Sequence, residues 1–206
     1  MLPSLAFFIA AVVLAVTPGP GIAYVVARTA AGGRAEGLAC CVGTGIGGLL
    51  HVGAAALGLS VLLAQSATAF SIVKYVGAAY LVYLGVCLLM SKSAPATVQT
   101  GSTGARRALL EGILVETLNV KTALFFLAFL PQFLVSGPSV AIQLAVMGSV
   151  CVVLNTAVDV AAVYGAARVL GSEASGRRRA KVVHQVSGLA LVGLGLYVAA
   201  TRRGAP

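Results

Sequence analysis

Residues 4–27 read SLAFFIAAVVLAVTPGPGIAYVVA, an apolar stretch without a charged side chain that is broken only by Thr17-Pro18-Gly19-Pro20-Gly21. A helix needs about 20 mainly apolar residues to cross the hydrocarbon core of a bilayer, and this stretch is long enough. It is also too long, and too free of preceding basic residues, to be a cleaved signal peptide, so it is read as a first true helix. Five further runs follow, at about 38–64, 68–90, 108–134, 139–168 and 183–201. The expected fold is therefore an all-α integral membrane protein with six transmembrane helices, forming a single domain over residues 1–206.

Composition excludes the alternatives. The chain is 59% hydrophobic and 9% charged, with a mean hydropathy of +1.01; a soluble domain typically carries about 25% charged residues to cover its surface. Its 25 glycines suit helix packing in lipid, where small residues bring backbones together. The net charge of +9 is spread over short connections, with no aromatic-interleaved basic patch, so no nucleic-acid partner is expected. Cys40, Cys41, Cys87 and Cys151 all lie in apolar runs and form no CxxC pair. They are read as small hydrophobes, and neither a metal nor a cofactor is expected.

Basic residues mark alternate connections. Arg28 and Arg34 lie between the first and second runs, Lys92, Arg106 and Arg107 between the third and fourth, and Arg168, Arg177, Arg178, Arg179 and Lys181 between the fifth and sixth. The connections near 65–68 and 135–139 carry none. The positive-inside rule then places the basic connections in the cytoplasm and the N-terminus outside; Arg202 and Arg203 weigh against this, and Lys74 can snorkel from the outer end of the third run. A polar loop at 91–107 divides the chain into halves of about 1–90 and 108–206. Three helices per half means that halves of one fold must be inverted relative to each other, a recurrent transporter design with the site at the interface.

Polar residues inside apolar runs are candidate site residues, because they are costly in a membrane and usually face the bundle interior. Thr17, Pro18, Gly19 and Pro20 break or kink the first helix; a simple kink and a substrate-facing break both fit. Glu111 lies four residues after Arg107, the spacing of an interfacial pair. Glu116 and Asn119 share a helix face, whereas Lys121 points elsewhere, to another helix or by snorkelling to the inner interface. Asp159 lies deep in the fifth run with Asn155 one turn before it. A carboxylate there either pairs across helices or carries a proton. His51, on a small-residue face with Gly47, Gly48 and Ala55, reads first as a histidine bonded to a carbonyl. Gly43 and Gly47 have the GxxxG spacing of a helix contact.

Four pieces in this order resemble the LysE/RhtB family of bacterial amino-acid exporters, over nearly the whole chain. They are Thr17-Pro18-Gly19-Pro20; Gly33-Arg34-Ala35-Glu36-Gly37-Leu38 leading into the glycine-rich second run with His51; Lys74-Tyr75-Val76-Gly77-Ala78-Ala79-Tyr80-Leu81-Val82-Tyr83-Leu84-Gly85; and Asn119-Val120-Lys121 followed by Phe125-Phe126-Leu127-Ala128-Phe129-Leu130-Pro131-Gln132-Phe133. The resemblance implies six helices in a bacterial inner membrane and amino-acid export driven by the proton gradient. Where the family usually has Asn-Pro-Lys, this chain has Asn119-Val120-Lys121. The missing proline removes a second expected helix break, so a symmetric pair of broken helices is not expected here.

The expected function is proton-coupled export of a small neutral amino acid or derivative. Its carboxylate would meet amides freed around Pro18–Gly21 and Lys121, and its ammonium would meet Asp159 or Glu116 beside Asn119. An intramembrane enzyme is disfavoured, since neither His51 nor His184 has an evident serine partner and no metal-ligand cluster occurs. A passive channel or membrane scaffold remains the rival. Glycine-rich faces would also allow a homodimer.

Overall fold

The computed structural model describes residues 4–59, 66–90, 101–135, 139–169 and 173–200. Lys92, Arg202, Arg203 and most of the polar loop at 91–107 lie outside these residues, as do the side chains of Arg168, Arg177, Arg178, Arg179, Lys181 and His184. The described chain is helical throughout, without a strand. Helix α1 spans Leu5–Val16, α2 Pro20–Ala54 (continued by a π turn at Ala55–Leu59), and α3 Ala67–Met90. Then come α4 Ala105–Thr117, α5 Val120–Ala128 with a 3-10 turn at Leu130–Phe133, α6 Val140–Val169 and α7 Glu173–Ala200.

Two helical stretches, Pro20–Gly58 and Val140–Ala166, each contain a run long and apolar enough to cross a membrane. The pair Ala105–Thr117 and Val120–Phe133, bent by 45°, makes a third candidate. Leu5–Val16, Ser71–Cys87 and Leu191–Ala200 are shorter apolar helices. The expected first run is thus divided: α1 holds its beginning, and residues from Pro20 onward belong to α2.

Helix α2 is not one rod. Gly33 interrupts it with φ 74° and ψ −171°, and a Cβ added to Gly21 would lie 3.9 Å from Thr44 Cγ2. A straight helix would hold residues 21 and 44 about 35 Å apart, so the chain doubles back at Gly33 into two antiparallel limbs. The Gly33 conformation is open to glycine almost alone. Gly33→Ala should therefore lower stability by about 1–3 kcal/mol, read as a reduced unfolding midpoint of the purified protein in detergent. An unchanged midpoint would mean that the reversal does not depend on this dihedral.

Glycines set the helix spacing. The second limb of α2 packs on α4 so closely that a Cβ on Gly43 would overlap the Leu109 carbonyl oxygen and lie 3.0 Å from Ile113 N. One on Gly112 would lie 2.7 Å from the Cys40 carbonyl oxygen, and one on Gly47 2.8 Å from that of Ile113. Gly43 and Gly47, the GxxxG pair, thus both face α4. Between α3 and α7, Gly85 and Gly188 meet in the same way. The main core gathers Phe7, Leu14, Val52, Phe125, Phe126, Phe129, Leu144 and Met147 from α1, α2, α5 and α6. Large apolar side chains such as Leu5, Ile9, Leu49, Leu50, Ile142 and Val153 point outward, more than half or nearly half exposed, a surface suited to lipid rather than water.

Candidate functional site

Two helix breaks meet at the centre of the molecule. The first follows from sequence: α1 stops at Val16, Thr17 turns extended (φ −68°, ψ 117°), and α2 restarts at Pro20 with Gly19 as its cap. Proline at the first helical position needs no donor there. The Thr17 hydroxyl donates back to the Val13 carbonyl at 2.6 Å.

The second break was not expected without a proline at position 120, and that expectation is corrected. Helix α4 ends at Thr117 and α5 begins at Val120 after Asn119, whose extended backbone (φ −75°, ψ 98°) and side chain cap the new helix by accepting from Lys121 N at 3.1 Å. Asparagine at this position satisfies an orphan amide as well as any residue does. In an unbroken helix the Glu116 carbonyl would take the amide of residue 120. Instead it accepts from Asn119 N at 3.0 Å and faces His51 Nε2 at 2.8 Å. A carbonyl only accepts, so His51 Nε2 is the donor in this contact. The cap and the histidine hold open a break that proline makes by default elsewhere.

Charged side chains fill the space between the breaks. Glu116 is buried, with Oε2 accepting from Asn119 Nδ2 at 2.9 Å and Oε1 from the Thr122 hydroxyl at 2.7 Å. A Cβ on Gly21, just past the first break, would lie 2.6 Å from Glu116 Oε2. Lys121 reaches across to α1 and donates to the carbonyls of Leu14 at 3.2 Å and Thr17 at 2.8 Å; it does not snorkel. Asp159 on α6 is 1% exposed and accepts from the Thr44 hydroxyl at 2.9 Å, with the Cys41 carbonyl at 3.0 Å as that hydroxyl's other acceptor.

A small cavity lies between these groups, lined by Leu14, Thr44, Gly48, Glu116, Thr122, Phe126, Cys151, Val152, Asn155 and Thr156. Asn155 and Glu116 thus face it directly, while Asp159 reaches it only through Thr44. The room open to a water-sized sphere is ≈ 10 Å³, about what one water needs. Any solute larger than a water must therefore wait for the helices to part. To one side of this site the rings of Phe125 and Phe129 stack at 4.7 Å, and Phe129 meets Phe133 at 4.8 Å.

A second polar cluster ties the basic connections together. Buried Arg28 pairs with Glu111 and lies 3.7 Å from Glu36. The Tyr24 hydroxyl donates to Glu111 at 2.6 Å, and Arg107 pairs with the same carboxylate at 2.9 Å. Glu36 Oε1 accepts from Ser102 Oγ and from the amides of Thr103 and Gly104. The Arg34 guanidinium lies 5.4 Å over the Tyr164 ring near the end of α6. The connections at 28–37 and 101–107 and the end of α6 therefore share one end of the molecule.

Of the ten sequence candidates, Thr17, Gly19, His51, Glu116, Asn119 and Lys121 are joined by direct contacts, with Pro18 and Pro20 forming the break itself; Asn155 completes the far wall, and Asp159 stands behind it, bonded to Thr44. Sequence reading missed Thr44 and Thr122, the hydroxyl partners of the two carboxylates. Only their placement in apolar helices beside marked residues signalled them. It also missed the burial of Arg28 and Glu36, which read as loop charges.

A family model described as LysE type translocator matches residues 12–202. The chain belongs to the LysE translocator family. Members of this family are transporters, not enzymes. This LysE-type chain is 35% identical over 132 residues to an uncharacterized membrane protein of Vibrio cholerae, an alignment spanning 63% of this chain and 64% of that protein, a little under two thirds of its length. It is 26% identical over 200 residues to a leucine efflux protein of Salmonella typhimurium, covering 94% of this chain and 92% of that one. It is 29% identical over 158 residues to a homoserine/homoserine lactone efflux protein of the same organism, covering 74% and 75%. No solved structure matches it at a significant level.

Proposed function

We propose that this chain is a secondary transporter that exports a small, neutral amino acid or derivative across the bacterial inner membrane, driven by the proton gradient. The observation that carries the reading is the pair of buried carboxylates between two helix breaks, Glu116 lining the cavity and Asp159 bonded to Thr44 in its wall. Buried charge in a membrane protein is costly and is kept where it pairs or works, and broken helices beside such charge are the usual substrate and ion sites of transporters. The substrate carboxylate meets the amides after Pro18 and Lys121, whose ammonium has three donors and spends two on carbonyls. The substrate ammonium meets Glu116, within reach of Asn119, Asn155 and, through Thr44, Asp159. One carboxyl alternates between protonated and ionised as access changes sides.

Six membrane crossings arranged as two inverted halves fit this reading, since the breaks after Val16 and Thr117 fall at corresponding places in the halves. The end carrying Arg28, Arg34 and Arg107 is assigned to the cytoplasm by the positive-inside rule, which puts the N-terminus outside. The names of the leucine and homoserine efflux relatives support the substrate class.

Cells expressing the protein and preloaded with a panel of labelled amino acids should release one or a few of them, and a protonophore should abolish the release. Release indifferent to the protonophore would favour a passive channel. No release of any, from protein shown to be in the membrane, would sink the amino-acid reading.

A further inference from the structure

The prolines of the first break strip particular carbonyls of their partners. In a continuous helix the Leu14 carbonyl accepts from the amide of residue 18 and the Val16 carbonyl from that of residue 20, and both residues are proline, without a donor. The Thr17 carbonyl loses its donor because its residue lies outside both helices. These oxygens form the C-terminal end of α1, where the helix dipole concentrates partial negative charge. Of these electron-rich oxygens, those of Leu14 and Thr17 face inward, toward the second break.

What sits there is the ammonium of Lys121, 2.8 Å from the Thr17 oxygen and 3.2 Å from that of Leu14. The residue is 7% exposed. Among the described residues no carboxylate lies within ion-pair distance of it, and its direct partners are backbone oxygens. The seat is shaped for it: a Cβ on Gly19 would come within 3.0 Å of both Lys121 Cε and Nζ. Lys121 leaves α5 one residue after its first, immediately past the second break, so one break supplies the oxygens and the other the cation.

We propose that the broken end of α1 is a monovalent-cation site that the chain fills with its own ammonium, Lys121, so that transport needs no sodium and a small alkylammonium can take the site when the lysine is truncated. In transporters with broken helices, half-helix carbonyl ends commonly coordinate a sodium ion or proton; here the ligand is tethered. Its loss leaves at least two buried acceptors unpaired and unlinks the two breaks. The sodium statement rests on the export reading above, whereas the alkylammonium statement does not.

Lys121→Ala removes three carbons and the ammonium, the atoms of propylammonium. The purified variant, in detergent and sodium-free buffer, should unfold at a lower temperature than the parent. Propylammonium should raise its midpoint by several degrees and leave the parent's unchanged. Neutral 1-propanol and tetramethylammonium, which has charge but no N–H donor, should raise neither midpoint. If the alanine variant cannot be purified, Lys121→Met keeps the stem beside Gly19 and lacks only the nitrogen, and extraction with ammonium ion should recover monomer that extraction with tetramethylammonium does not. A parent-like midpoint without amine, or equal recovery with propanol or tetramethylammonium, overturns the cation site whatever the protein transports. Efflux from cells by the parent should be unchanged when choline replaces sodium; a sodium requirement would overturn the substitution of lysine for a metal ion while leaving export itself in place.

Discussion

Asp159→Asn should lower export driven by an imposed pH gradient by about tenfold or more, while substrate exchange without a gradient persists. Tenfold corresponds to only about 1.4 kcal/mol, less than the cost of mishandling one buried charge. Asparagine keeps a carbonyl oxygen for the Thr44 hydroxyl, now 2.9 Å from Asp159 Oδ2, so the contact between α2 and α6 survives and only the exchangeable proton is lost. Everted vesicles with and without a pH jump separate the two activities. Normal gradient-driven efflux would remove Asp159 from coupling and leave Glu116. The matching change at Glu116 is less clean, because both of its oxygens accept, from Asn119 and Thr122. A glutamine would turn an amide toward one of those donors and disturb the break itself.

Gly43→Ala should be the most destabilising single methyl in the helix contacts among the described residues. Its Cβ would overlap the Leu109 carbonyl oxygen and crowd the backbone of Ile113, and backbone, unlike the tip of a flexible side chain, cannot step aside. Overpacking a tight core costs about 1–3 kcal/mol; here the upper end is expected, because α4 would have to move away from α2 along its length. Such a shift also carries Glu116 from its place beside Gly47, where a Cβ would lie 2.8 Å from Glu116 Cβ. The unfolding midpoint in detergent should fall and export should fall with it. Gly53→Ala on the same helix, with nothing within 4 Å of the added Cβ, is the control. Equal midpoints for the two variants would mean that the α2–α4 contact is not as tight as its geometry indicates.

The two breaks show how far the sequence carries. The first was legible because Pro18 and Pro20 cannot donate, whatever surrounds them. The second was not, because Asn119-Val120-Lys121 contains no residue that forbids a helix. It exists because Asn119 caps α5 and His51, from another helix, lies within hydrogen-bonding distance of the Glu116 carbonyl. One partner is local and readable; the other is 65 residues away. The same distinction separates Glu111, whose pairing with Arg107 follows from four-residue spacing, from Arg28, whose burial against Glu36 and Glu111 depends on the reversal at Gly33 and on the 101–104 segment.

By itself the sequence determined what a residue imposes on its own backbone and solvent: apolar runs that suit lipid, a helix that must break or kink at Thr17-Pro18-Gly19-Pro20, basic residues kept to alternate connections, and carboxylates too costly to face hydrocarbon. Tertiary structure decided which of these meet. It folded α2 back on itself at Gly33, brought the Lys121 ammonium to carbonyls over a hundred residues earlier, and set Thr44 against Asp159. The physical reason is range. Propensity and hydropathy act within a turn or along one helix, whereas a hydrogen bond between helices is fixed only when glycines let the backbones close to contact.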